Sequence, residues 1–197
     1  MKTISRTVQM LAAVGLAAML QLSQAVASPI VSIVPANQTI SVGGTASIDI
    51  IVSGLTDPVG GFSLTLGFNN TFLSGASFLN DPGGKMGALT LDLSCGFGGF
   101  IPSCIPSLTG SSPLDLFFLA DELETQATLA DSQGLSFTLA TVSFQGLADG
   151  LSKLELSRVF LSNSDGTATL EGVQTRDGSI CVGGNCNVVP EPATLLL

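Results

Sequence analysis

Successive short stretches of the chain alternate apolar and polar residues with a period of two, the pattern of strands that bury one face. The clearest spans residues 61–68, where Phe62, Leu64, Leu66 and Phe68 fall on one side and Ser63, Thr65 and Gly67 on the other. Residues 135–144 set Leu135, Phe137 and Leu139 against Ser136, Thr138 and Ala140, but the parity changes at Ala140 and puts Val142 and Phe144 out of step. A strand that swaps its buried side either carries a bulge at the swap or is covered on both faces, and both belong to a central strand of two packed sheets. A second slip falls near Arg158 in residues 153–161, where Lys153, Glu155, Ser157 and Arg158 mark a wet face.

Further strands are predicted at 30–34, 39–42, 45–52, 72–79, 88–93, 114–120, 167–173 and 178–182. Turn formers separate them: Gly43-Gly44, Asp57-Pro58, Asn69-Asn70, and residues 81–84, 148–150 and 163–166. Only residues 121–131 look helical. There Glu122, Leu123, Gln126 and Leu129 can sit on neighbouring turns, Asp121 and Glu122 suit a helix N-terminus, and Gly134 stops it. Residues 85–113 are the least regular, a Gly- and Pro-rich excursion in which Phe97 and Phe100 either form a sticky patch or pack within their own loop. Strands spaced by about a dozen residues predict an all-β sandwich with at most one short helix.

With 197 residues, 45% of them hydrophobic, the chain supports one domain plus terminal signals. Lys2 and Arg6 precede an apolar run over residues 8–22, followed by Ala25-Val26-Ala27, the small-x-small cleavage pattern of a secretory signal peptide. Residues 1–27 are therefore expected to be removed, with Ala25 and Ala27 the two small residues just before the cut and Ser28 the first residue of the mature chain. A run of about 15 residues is too short for a membrane span, which needs about 20. Without Lys2 and Arg6, four basic residues face fifteen acids, a balance of −11 that excludes nucleic acid and anionic membrane surfaces as partners.

Four cysteines in an exported chain favour disulfides. Cys95 and Cys104 enclose eight residues and Cys181 and Cys186 enclose four. Three pairings exist, and the two local ones are preferred because short loops close most readily. A zinc site competes poorly, since the chain has no His and neither spacing is C-x-x-C.

Lacking His, Tyr and Trp, the chain has few ways to build a nucleophile with its base, so a non-enzymatic protein without cofactor is expected. Two carboxylates alone suffice for a glycosidase, with Glu122, Glu124 and Glu155 as candidates, but the aromatic platforms of sugar subsites are missing apart from Phe. Residues 163–166, Asn-Ser-Asp-Gly, match part of a calcium loop, yet Gly172 stands where the bidentate Glu belongs, and Glu171 misses by one. An Asx turn is the expected outcome. Asn37 and Asn69 begin glycosylation sequons.

The segments 40–45 (ISVGGT), 60–78 (GGFSLTLGFNNTFLSGASF) and 134–166 (GLSFTLATVSFQGLADGLSKLELSRVFLSNSDG) together resemble the cohesin-type β-sandwich. The resemblance implies a jelly roll of about nine strands over residues 28–186 that presents one sheet face to a protein module such as a dockerin. Val189, Pro190, Glu191 and Pro192, followed by Ala-Thr-Leu-Leu-Leu, resemble the opening of a PEP-CTERM sorting signal over residues 187–197. That resemblance implies an exosortase as sorting partner and delivery to the envelope or extracellular matrix of a Gram-negative bacterium. The two together imply an exported binding module. A carbohydrate-binding or adhesive matrix sandwich, with extracellular polysaccharide as ligand, is the alternative.

Overall fold

The alternation in residues 61–68 folds as β4 (Val59–Gly67), whose Phe62, Leu64 and Leu66 are at most 2% exposed while Ser63 points outward. The computed structural model describes residues 28–88, 90–92, 114–120, 124–184 and 186. Before β4 come β1 (Ile30–Val34), β2 (Asn37–Ile40) and β3 (Thr45–Ser53); after it come β5 (Leu73–Asn80), β6 (Leu91–Asp92) and β7 (Leu114–Leu119). One helix, α1 (Gln126–Gln133), precedes β8 (Ser136–Gly146), β9 (Gly150–Asn163), β10 (Gln174–Arg176) and β11 (Gly178–Val182).

These strands form two sheets. Sheet one runs β10-β1-β3-β8-β5, and sheet two runs β2-β11-β9-β4-β7-β6. Two crossings between the sheets run side by side along one flank, β1 into β2 and β10 into β11: β1 lies parallel to β10 in sheet one, and β2 parallel to β11 in sheet two. The two crossings are tied by the Ser179 N–H, which donates to the Ala36 carbonyl at 2.7 Å, and the second is fastened to β9 by the Asp177 carboxylate, which accepts the Leu156 N–H at 2.8 Å. Between the sheets sits one apolar core containing Val31, Ile48, Ile50, Leu64, Leu116, Leu139, Val142, Phe144, Leu154 and Ile180. Burying each such side chain contributes about 1.5–3 kcal/mol, which is what drives the sheets together. Phe68 and Phe144 meet edge-to-face across the core at 5.2 Å.

Both parity slips are bulges. In β8, Leu139 is the extra residue: Ala140 pairs with Ile50 and Thr138 with the adjacent Ile51. Leu139 and Ala140 are both fully buried, so Phe137 before the bulge and Val142 and Phe144 after it all reach the same core. In β9 the pair Arg158 and Val159 opposes Leu64 alone, and Arg158 adopts a left-handed φ of 49°.

Three sequence expectations need correction. The helix starts at Gln126, not at Asp121 or Glu122, because Thr125 caps it: its side-chain oxygen accepts the Thr128 N–H at 3.2 Å. The helix also runs two residues past its expected end, to Gln133, which is 2% exposed and clamps Val59: its side-chain oxygen accepts the Val59 N–H and its amide donates to the Val59 carbonyl, both at 2.7 Å. Residues 167–173 are not a strand; Asp165, Thr167 and Asn163 close a turn there, with a single bridge from Ser162 to Thr169. Of the strand expected over residues 88–93, Leu91–Asp92 alone pairs among the described residues.

Candidate functional site

Two outer sheet surfaces are left by this packing, and they differ in chemistry. On sheet one the outward residues are mostly small hydroxyls, including Ser47, Thr138, Thr141, Ser143 and Ser77. Its carboxylate, Asp49, is occupied by the Thr141 hydroxyl at 2.6 Å. Leu79, 57% exposed, is the one large apolar side chain on β5 that faces water.

Sheet two is built otherwise. Ser63 on β4 is paired with Phe160 on β9 and with Phe117 on β7, so the three form one cross-strand row. Phe160 is 59% exposed and Phe117 is half-buried. Residues on strands two apart are separated by about 10 Å, and the small Ser63 between them leaves a shallow trough flanked by the two rings. One row further along, Thr65 lies between Ser157 and Asp115, and its hydroxyl donates to the Asp115 carboxylate at 2.5 Å. Beyond it come Gly67 and the exposed Glu155. The trough opens at that end into a hollow of about 700 Å³ between Gly67–Asn70 and Leu151, Lys153 and Glu155. A ring of polar and charged groups around a partly exposed aromatic centre is the composition of a protein-recognition surface.

The sequence candidates scatter. Cys181 and Cys186 are bonded, with Cα atoms 5.7 Å apart, and fasten the end of β11. Cys95, Cys104, Phe97, Phe100, Glu122, Ala25, Ala27 and the motif Val189, Pro190, Glu191 and Pro192 lie outside the described residues. Glu124 stands just before α1 and Glu155 on β9, on separate elements. Residues 163–166 form the expected Asx turn: Asp165 accepts from the Thr167 hydroxyl and N–H, and the Asn163 side chain accepts from the Ala168 N–H. Those bonds hold the Asp165 carboxyl below the ordinary aspartate value. Among the described residues no group of His, Cys, Asp and Glu is placed to hold a metal ion. Asn37 and Asn69 are both exposed; the Asn37 amide oxygen accepts from the Ser179 hydroxyl, and Asn69 turns back on the Thr71 N–H.

The strand order, with the β1–β2 and β10–β11 crossings paired along one flank, is that of a jelly-roll sandwich. Among solved structures it is similar to cohesins. CaCohA2 of Clostridium acetobutylicum superposes with a TM-score of 0.53 at 14% identity, covering 81% of this chain and 93% of that one. The non-cellulosomal cohesin of the archaeon Archaeoglobus fulgidus gives 0.54 at 15%, with 79% and 91% covered. The third cohesin ScaC of Acetivibrio cellulolyticus, solved with the ScaB dockerin, gives 0.54 at 16%, with 78% and 98% covered. The fold is thus a cohesin-like jelly-roll β-sandwich, as the sequence resemblance implied. No family model and no curated protein matches the chain by sequence.

Proposed function

We propose that the protein is an exported, non-enzymatic binding module that docks a protein partner on the outer face of sheet two, centred on Phe160, Ser63 and Phe117. Residues 1–27 serve as signal peptide, residues 28–186 form the binding domain, and residues 187–197 begin a sorting signal read by an exosortase. The observation that carries the docking role is Phe160: a large aromatic side chain 59% exposed in the middle of a paired strand is costly to leave in water and is the residue type that anchors interfaces. The cohesin ScaC, similar in fold, was solved in complex with a dockerin, which supports a dockerin-like module as the kind of partner.

The test is retention by the immobilised full chain from the secreted fraction of its host. The parent chain is expected to hold a protein that Phe160→Ser does not, while the melting temperatures of the two agree. Equal retention by both variants places the docking surface elsewhere. Retention of polysaccharide alone overturns the protein partner in favour of a carbohydrate-binding sandwich, for which the polar hollow beside Asn69, Asn70 and Glu155 is the suited site.

A further inference from the structure

We propose that Arg158 is a recognition residue inserted into β9, and that with Phe160 it forms a two-point anchor for a partner segment carrying a carboxylate next to an apolar side chain. The anchor rests on the docking role of sheet two; the insertion does not.

The strand needs no residue at this position. Leu154 and Leu156 point into the core and Glu155 and Ser157 point out; with position 158 skipped, Val159 and Leu161 continue the inward row and Phe160 the outward one. The alternation is complete without Arg158, and the bulge exists to absorb it. Its backbone sits at φ 49°, a region that residues with a Cβ avoid and glycine enters freely. Ten described glycines take positive φ, so the chain meets that demand with glycine almost everywhere else. Asp81, the other described non-glycine residue with positive φ, has a local reason: its carboxylate accepts the Lys85 and Met86 N–H groups at 2.7 and 2.8 Å. Arg158 has none, for among the described residues nothing hydrogen-bonds to it or pairs with it. It stands exposed, two residues before the exposed Phe160 in the same strand.

An exposed guanidinium on a strained backbone, with no side-chain partner and two residues along the strand from an exposed ring, suits a bidentate carboxylate next to an apolar group. Strain of this kind persists where function holds it. The nearby acids Glu155 and Asp115 repel an acidic partner along the trough between Arg158 and the hollow where Lys153 lies, which makes the guanidinium a selector of where a carboxylate beside Phe160 lands.

Two measurements test this. Deleting Arg158, or replacing it by Gly, is expected to keep or raise the melting temperature of the full chain; a fall in both variants makes Arg158 structural and overturns the insertion. A random dodecapeptide library displayed on phage is then selected on the immobilised full chain. Peptides enriched on the parent should carry Asp or Glu beside an aliphatic or aromatic residue. Arg158→Ala should weaken such a peptide by about 10- to 100-fold and erase the acidic preference, the range for a lost charge-assisted hydrogen bond. Phe160→Ser should enrich nothing. An acidic preference undiminished in Arg158→Ala sinks the anchor. Absence of any enrichment on the parent sinks the anchor and the docking face together, while the melting data still decide the insertion.

Discussion

The two bulges read alike in the sequence and do opposite things in the molecule. Each is one residue too many in a strand that otherwise alternates: Leu139 in β8 and Arg158 in β9. Leu139 is fully buried, and its carbonyl is met by the Asp81 N–H at 2.7 Å. The extra residue there adds a side chain to the core, and the neighbouring turn is built to hold it. Arg158 adds nothing to the core and has no holder among the described residues. An inserted residue with partners on every side is packing; an inserted residue with none is available to something outside the chain.

If that contrast is right, stability must respond to the two insertions with opposite signs. The largest effect is expected from Leu139→Ala, which leaves a cavity between the sheets and should cost about 3–4 kcal/mol in denaturant unfolding. A loss below about 1 kcal/mol would mean that the first bulge is slack and the comparison empty. Gln133→Ala comes next. It lies three residues before β8 and its side chain holds both Val59 backbone groups, so its removal strands a buried N–H and a buried carbonyl at a cost of about 2–3 kcal/mol. Gln133→Glu should be nearly as damaging, because the carboxylate cannot donate to the Val59 carbonyl. Arg158→Gly, by contrast, should gain about 0.5–1 kcal/mol, left-handed strain being relieved at the expense of some chain entropy.

How much of this was legible in the sequence follows from how far each signal reaches. The alternation of Phe62, Leu64 and Leu66 and both parity slips are local, and each was placed within a residue or two. The Cys181–Cys186 pairing and the Asn163 turn are also local and were read correctly. What escaped depended on partners distant in sequence. Gln133 looks like an ordinary surface helix residue until Val59, 74 positions away, is brought beneath it. The helix start was misjudged because Asp121 and Glu122 are attractive first-turn residues, whereas the capping oxygen came from Thr125. The face proposed for docking is not a local signal either. Which slip delivers an aromatic ring to water depends on sheet pairing, and the row from Phe160 through Ser63 to Phe117 spans three strands that are far apart in the chain.

The smallest expected effect separates the two regions by pH. Beside the first bulge, burial pushes the Asp81 carboxyl above the ordinary aspartate value of 3.8, against the Met86 and Lys85 N–H groups and the Lys85 ammonium, which pull it down. In the turn after β9, the Thr167 hydroxyl and N–H hold exposed Asp165 below the same value. The linkage signs are therefore opposite. Asp81 binds its proton more tightly folded than unfolded, so its contribution is fully present below 3.8 and is lost as pH rises through its folded pKa. Asp165 contributes above 3.8, and that contribution is lost as pH falls through its lower folded pKa. Carboxyl-carbon NMR titration should show Asp81 titrating above and Asp165 below the ordinary value, and Asp81→Asn should flatten the stability curve chiefly above pH 3.8, whereas Asp165→Asn should flatten it chiefly below. Asn suits the left-handed φ of 43° at position 81, so the backbone is kept; its amide can accept only one of the Lys85 and Met86 N–H groups, so the pH slope and not the absolute stability is the readout. An Asp81 that titrates below 3.8 would mean that the two N–H groups outweigh burial, making the first bulge's holder an anion site tuned for charge instead of a packed corner of the core.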